Sequence, residues 1–228
     1  MDSREEFVEV KYDGSSAVLK SFDGSVIEKI ASCVASGVVI APTETVYGIL
    51  TRADFMGLKA IAVAKGRSID QLPPVLISNF EMIEDQVLFR SKVQREKTEI
   101  LVKTFWPGSL TLVFPMHPSS NLPSHRGVVA VRQTPNRILA EVSEIVGPLY
   151  ASSANTHGAP TITGAEDLLS GEGLELLSRV GTAYCNRSKG GTAASTIIEV
   201  VEDGALICHR EGAIALDSIT TVLKEFEK

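Results

Sequence analysis

Histidine is scarce in this chain, with four residues, and cysteine scarcer, with three. His117, His125, His157 and His209 form no H-E-x-x-H and no ligand-spaced cluster, and no G-x-S-x-G elbow occurs. Zinc-protease and α/β-hydrolase chemistry therefore lose most of their weight. Cys33, Cys185 and Cys208 lie far apart without a C-x-x-C pair, which argues against a structural zinc site or disulfide framework and fits a reducing cytoplasm. No apolar run approaches bilayer-spanning length, so no membrane partner is expected. Residues 1–25 lack the apolar stretch of a secretory signal, and no signal peptide is expected. A basic excess is missing too: 22 Lys and Arg stand against 28 Asp and Glu, for a net charge of −6. That balance argues against a mainly electrostatic nucleic-acid binder while leaving room for a local basic cleft.

What is present is the pattern of a packed domain. Apolar residues make up 44% and charged residues 22% of the 228, enough to bury a sizeable core. Ser25 reads as the N-cap of a helix carrying Val26, Ile27, Ile30, Ala31 and Val34, with Gly37 as its stop. Strand Val38 to Ile40 follows. Asp54 caps a second helix that runs to Lys65, and Val75 to Ile77 reads as the next strand. A third helix spans Ser91 to Thr104, followed by strands at Leu110 to Phe114 and Val128 to Val131. Pro135 suits the first turn of a helix carrying Ile138, Leu139, Val142 and Ile145. A strand at Leu149, later strands at Thr196 to Val201 and Ala205 to Cys208, and a closing helix at Leu216 to Phe226 complete the reading. The interspersed elements predict an α/β single domain with a mixed, twisted sheet.

Polar residues gather where these elements end, the usual place for ligands in open α/β sheets. Lys65-Gly66-Arg67 sets two cations around a glycine, a trio suited to polyphosphate; the same cations could instead cap a helix C-terminus. Arg132, after an apolar strand, could hold a carboxylate bidentately or form a surface ion pair. Thr43 and Tyr47 offer hydroxyls to a small substrate, although a packed Tyr in a turn is the commoner outcome. Residues 189–196 lack the ending of a Walker A loop, yet their glycines could form a backbone nest with Ser195 and Thr196 adding hydroxyls. Arg210 could add positive charge. The run YASSANTHGAP, residues 150–160, is open to three readings: a Ser153/His157 nucleophile pair, a phosphate cradle, or a plain polar loop.

Taken together, APTETVYGIL, KGRS, FWPGSLTLVF, VAVRQTP and LYASSANTHGAPTITGAEDL, followed by STIIEV and HREGAI, resemble the YrdC/TsaC family of threonylcarbamoyl-AMP synthases. The resemblance runs from Val26 to Ile214. It implies a YrdC-like, twisted, mostly parallel mixed sheet flanked by helices, with a concave, positively charged ligand face. It implies an enzyme that joins L-threonine, bicarbonate and ATP into threonylcarbamoyl-adenylate and releases pyrophosphate. A partner transferase then completes the t6A modification of tRNA adenosine 37, and some members bind RNA. Residue by residue, it assigns Lys65 and Arg67, with Ser153 and Asn155, to the phosphates or the adenylate, the first two as catalytic. It assigns Thr43, Tyr47 and Arg132 to threonine, Arg132 against its carboxylate, and Ser195 and Arg210 to positions close to ATP and threonine. A single domain over residues 1–228, with its core from 20 to 215, corresponds to the short form of the family.

The chemistry agrees with the absence of a convincing triad, because N-carboxylation of threonine and attack on the α-phosphate need positioning and charge neutralisation more than a nucleophile. Mg2+ is expected to be held by ATP itself, with no protein-bound metal. The chain departs from the family at Glu44, where Asp is usual, and over Ser68 to Pro74, a loop expected to shape the threonine end. That loop keeps two other functions open: an RNA- or nucleotide-binding paralogue without synthase activity, and a carbamoyl-adenylate-forming domain.

Overall fold

A computed structural model describes residues 7–21, 24–70, 72–124, 126–156, 158–186 and 193–226. Two strands, β1 (Phe7–Tyr12) and β2 (Ala17–Lys20), precede helix α1 (Val26–Ser36). Strands β3 (Val39–Ala41) and β4 (Gly48–Arg52), helix α2 (Phe55–Lys65) and strand β5 (Val75–Ile77) follow. Next come α3 (Lys92–Phe105), β6 (Leu110–Pro115), β7 (Val128–Gln133), α4 (Arg137–Val146) and β8 (Leu149–Ser153). The chain continues through α5 (Gly171–Val180), β9 (Thr182–Asn186), β10 (Thr196–Val200), β11 (Leu206–Arg210) and α6 (Leu216–Phe226).

The helix ends follow from side-chain chemistry. Ser25, Asp54, Ser91 and Asn136 each accept an N–H of the first turn, which satisfies donors that the helix itself cannot. Pro135 therefore lies before the cap of α4 and not inside its first turn. Strands β1, β2, β4 and β9 and helix α5 are additions to the sequence reading.

Among the described residues eleven strands join one sheet in the order β11-β10-β6-β7-β5-β8-β4-β3-β9-β1-β2. Its mixed α/β character is as expected, but the balance of directions is not mostly parallel. Only β10/β6, β3/β9 and β5/β7 pair in parallel, and the other seven pairings are antiparallel. Part of the reason is short connection: β1 and β2, β3 and β4, and β10 and β11 are chain neighbours joined by a few residues, too few for a parallel crossover.

Period-two alternation divides the core into two layers. Ile40, Ile49, Val75, Ile77 and Tyr150 pack with α2, α3, α5 and α6 on one face. Val39, Ala41, Leu50, Leu76 and Leu149 pack with α1 and α4 on the other. Along β6, β7 and β10 the second face changes character. Thr111, Val113, Ala130, Arg132, Ile197 and Glu199 alternate with core residues and belong to neither apolar layer. This face mixes polar and apolar side chains, and Arg132 and Ile197 on it line a cleft. No described helix is long and apolar enough to cross a membrane, and the three cysteines carry free thiols.

Candidate active site

The turn between β3 and β4 is organised by its own threonine. The Thr43 hydroxyl accepts the N–H groups of Thr45 at 3.1 Å and Val46 at 3.2 Å and donates to the Val46 carbonyl. This is the local side-chain-to-backbone bonding that makes Thr a turn former. It turns Glu44 towards β7, where Glu44 Oε1 lies 2.8 Å from Arg132 Nε with both side chains nearly buried. The two atoms are in charge contact without the alignment of a hydrogen bond. Glu44 Oε2 accepts the Thr134 hydroxyl at 2.8 Å, and Arg132 Nη1 donates to Thr45 Oγ1 at 3.4 Å. Arg132 is thus a buried ion-pair member and not a surface one.

Helix α2 ends at Gly66, whose left-handed φ of 62° turns the chain out of the helix. Lys65 stays buried behind this turn and Arg67 emerges beyond it. Lys65 Nζ lies among four oxygens: Ser153 O at 2.6 Å, Ser153 Oγ at 3.3 Å, Asn155 O at 2.9 Å and Asn155 Oδ1 at 2.7 Å. Burial first, and the neighbouring Arg67 second, bring its ammonium down to about 8. Arg67 has two buried nitrogens, Nε and Nη2, without a hydrogen-bond partner among the described residues.

A third group comes from the far end of the sheet. Arg210, at the end of β11, donates to Ser195 O at 2.9 Å and to Ser195 Oγ at 3.0 Å, and Thr111 donates to Ser195 Oγ at 2.9 Å. Gly212 makes this corner possible: a Cβ there would stand 2.2 Å from Ala194 O and 2.7 Å from Ser195 O.

These segments enclose a cleft of 260 Å³. Arg67, Arg132 and Arg210 all line it, with hydroxyls from Thr43, Thr45, Ser152, Ser153 and Ser195 and a wall from Leu72, Pro73 and Pro74. Burial lowers all three guanidiniums from their usual value; at Arg132 Glu44 opposes that shift and Arg210 adds to it. A concave site lined by several partly buried cations suits an anion or several.

Of the nine residues singled out in the sequence, six line the cleft: Thr43, Arg67, Arg132, Ser153, Ser195 and Arg210. Three do not. Lys65, Ser153 and Asn155 are engaged with one another, and of the three only Ser153 lines the cleft. Tyr47 is fully buried, its hydroxyl donating to Asn186 Oδ1 at 3.3 Å. Asn155 is tied into the loop on both sides of its amide: Oδ1 also accepts Ser153 Oγ at 2.7 Å and Nδ2 donates to Ala159 O at 2.7 Å. His157, and with it the Ser/His pair, lies outside the described residues, as do residues 189–192 of the glycine loop. Thr45 and Ser152 were not singled out. Thr45 had a signal, its place in the T-x-T of the same turn, whereas Ser152 becomes visible only once β8 is paired.

The sequence matches the Sua5/YciO/YrdC family, whose description reads telomere recombination, over residues 33–212. A Mycobacterium leprae relative is 35% identical over 85% of this chain and 87% of its own. The threonylcarbamoyl-AMP synthase of Bacillus subtilis is 31% identical over 90% of this chain and 58% of its own. Among solved structures, Pyrococcus abyssi Sua5 complexed with L-threonine superposes with a TM-score of 0.71 at 31% identity, covering 87% of this chain and 57% of that one. The chain therefore spans little more than half the length of the last two proteins.

Proposed function

The chain belongs to the Sua5/YciO/YrdC family, and we propose that it is an L-threonylcarbamoyladenylate synthase, the nucleotidyltransferase of the first step towards t6A in tRNA. At the site, the convergence of Arg67, Arg132 and Arg210 on one cleft carries this reading. The reaction brings together three anions, ATP, bicarbonate and the threonine carboxylate, whose mutual repulsion is the main obstacle to assembly.

The threonine amine attacks bicarbonate to give a carbamate and water. A carbamate oxygen then attacks the α-phosphorus of ATP, the α–β bridging bond breaks, and pyrophosphate leaves with its electrons. Neither step requires a protein nucleophile. Arg132 and Arg210 take the threonine carboxylate, with Thr43 and Thr45 beside it, and Arg67 takes the phosphates. Guanidinium is suited to both because its planar fork matches carboxylate and phosphate oxygens. Donors of this kind, preset in the cleft, stabilise charge developing on the leaving pyrophosphate. Guanidiniums and hydroxyls suit phosphate oxygens and not a bare divalent ion, so Mg2+ enters with ATP, where it neutralises phosphate charge. The wall of Leu72, Pro73 and Pro74 supports a role for the Ser68 to Pro74 loop in shaping the substrate end. The product passes to a t6A transferase in the cytoplasm, and with a net charge of −6 direct contact with tRNA is weak.

The test is pyrophosphate release from ATP and bicarbonate with L-threonine, L-serine or no amino acid. Threonine-dependent release is expected. Folded, ATP-binding protein that shows none would end the synthase reading, and release driven by carbamoyl phosphate without threonine would point to carbamoyl-adenylate chemistry.

A further inference from the structure

An ammonium has three N–H donors, and at Lys65 four oxygens of Ser153 and Asn155 already compete for them at 2.6 to 3.3 Å. None of the four belongs to a carboxylate, so the cage is neutral and the Lys65 charge is its only cation. Lys65 is 5% exposed and does not line the cleft. Arg67 is the opposite case, lining the cleft with two buried nitrogens unpartnered. The K-x-R and S-x-N pairs therefore divide into an internal cluster and one guanidinium free to meet a ligand.

We propose that Lys65 is a positioning residue, a built-in monovalent cation whose ammonium fills an oxygen cage and pins the end of β8 to the end of α2, so that Arg67 meets the phosphates and Lys65 does not. The geometry beyond the cage agrees. Ala154 N–H donates to Tyr47 O at 2.7 Å and Ile162 N–H to Ala154 O at 2.9 Å. The pinned turn thereby ties α2 to the β3–β4 turn that bears Thr43 and Thr45. At neutral pH the ammonium, brought down to about 8, is still the main form. Backbone and amide oxygens at such distances are also the ligand type that replaces the hydration shell of potassium. Only the activity readout of the proposal rests on the synthase reading.

Lys65→Ala, shown folded by its melting transition, is assayed at constant ionic strength in chloride salts of potassium, ammonium, methylammonium or tetramethylammonium. In the tetramethylammonium salt the KM for ATP is expected to rise about tenfold or more, the scale of a lost charge-assisted contact. Potassium, ammonium or methylammonium should recover most of that loss, because each can enter the cage. A KM that none of these salts lowers, or one that never rises, would overturn the proposal.

Should Lys65→Ala not fold, wild-type protein decides. Reductive methylation followed by peptide mass spectrometry should leave Lys65 unmodified both with and without ATP. Labelling of Lys65 in the absence of ATP would overturn the proposal, whether or not ATP then protects it. This second experiment needs no turnover, so a wild-type protein that released no pyrophosphate would sink the synthase reading and leave the cage still tested.

Discussion

Arg67 and Arg132 reach the same cleft from different electrostatic circumstances. Arg132 has a carboxylate on it in the form of Glu44, itself steadied by Thr134, so a substrate carboxylate must share that guanidinium and draw on Arg210 as well. Arg67 brings buried nitrogens with no partner, a cost relieved when an anion arrives. Their substitutions should therefore separate. Arg132→Ala is expected to weaken threonine binding more than ATP binding and Arg67→Ala the reverse, each by about 1.5–3 kcal/mol for a lost charge-assisted contact. Titration calorimetry with each ligand checks this, and equal losses in one variant would show its role to be misassigned. Lys65 supplies a pH test. Its folded value of about 8 lies below the ordinary 10.5, so between them the unfolded chain holds more protons than the native one. Stability from this group must then rise with pH across that window. Urea unfolding of wild type and Lys65→Met from pH 7 to 10 should show the difference between them moving in favour of the wild type as pH rises. A difference that is flat, or moves the other way, would show that the four oxygens around Nζ offset the cost of burying the ammonium.

At the scale of elements, the site depends on corners that bring backbones together. Gly212 lets the segment after β11 approach Ala194 and Ser195 more closely than any Cβ allows. Gly212→Ala should cost about 1–3 kcal/mol as an overpacked substitution and loosen Arg210 from Ser195. Gly164→Ala, in open space with extended backbone, should cost far less. Thermal melts compare the two, and equal stability would show the corner to be pliable. Helices were legible in the sequence because their caps and apolar stripes are local: α1, α2 and α6 begin and end where Ser25, Gly37, Asp54, Lys65, Leu216 and Phe226 predict. Strands β4 and β9 were not, because each is five residues long and held mainly by partners distant in sequence, β8 for one and β1 for the other. Direction of pairing was equally hidden, since a strand carries the same alternation whichever way its neighbour runs.

For the whole molecule, one sheet separates two apolar layers, and every strand from β11 to β2 belongs to it. We expect the chain to unfold as one cooperative unit. Trp106, the only tryptophan, is well placed to report this: it packs near Phe80 and Phe114, and its indole N–H donates to Leu110 O at 2.7 Å. Its fluorescence and the far-ultraviolet circular dichroism should share one urea transition. Two separated transitions would mean that the layers unfold independently.

By itself the sequence determined the elements with strong local signals, the family resemblance, and six of the side chains that face the cleft. Those signals survive in one dimension because caps, turns and apolar periods act over a few residues. Tertiary structure alone decided which polar groups face a ligand and which face each other. YASSANTHGAP and KGRS both carry polar residues, yet Lys65, Ser153 and Asn155 spend hydrogen bonds on one another, while Arg67 keeps buried nitrogens free among the described residues. That distinction depends on how the end of β8 meets the end of α2 across a sequence separation of 88, and no local pattern records it.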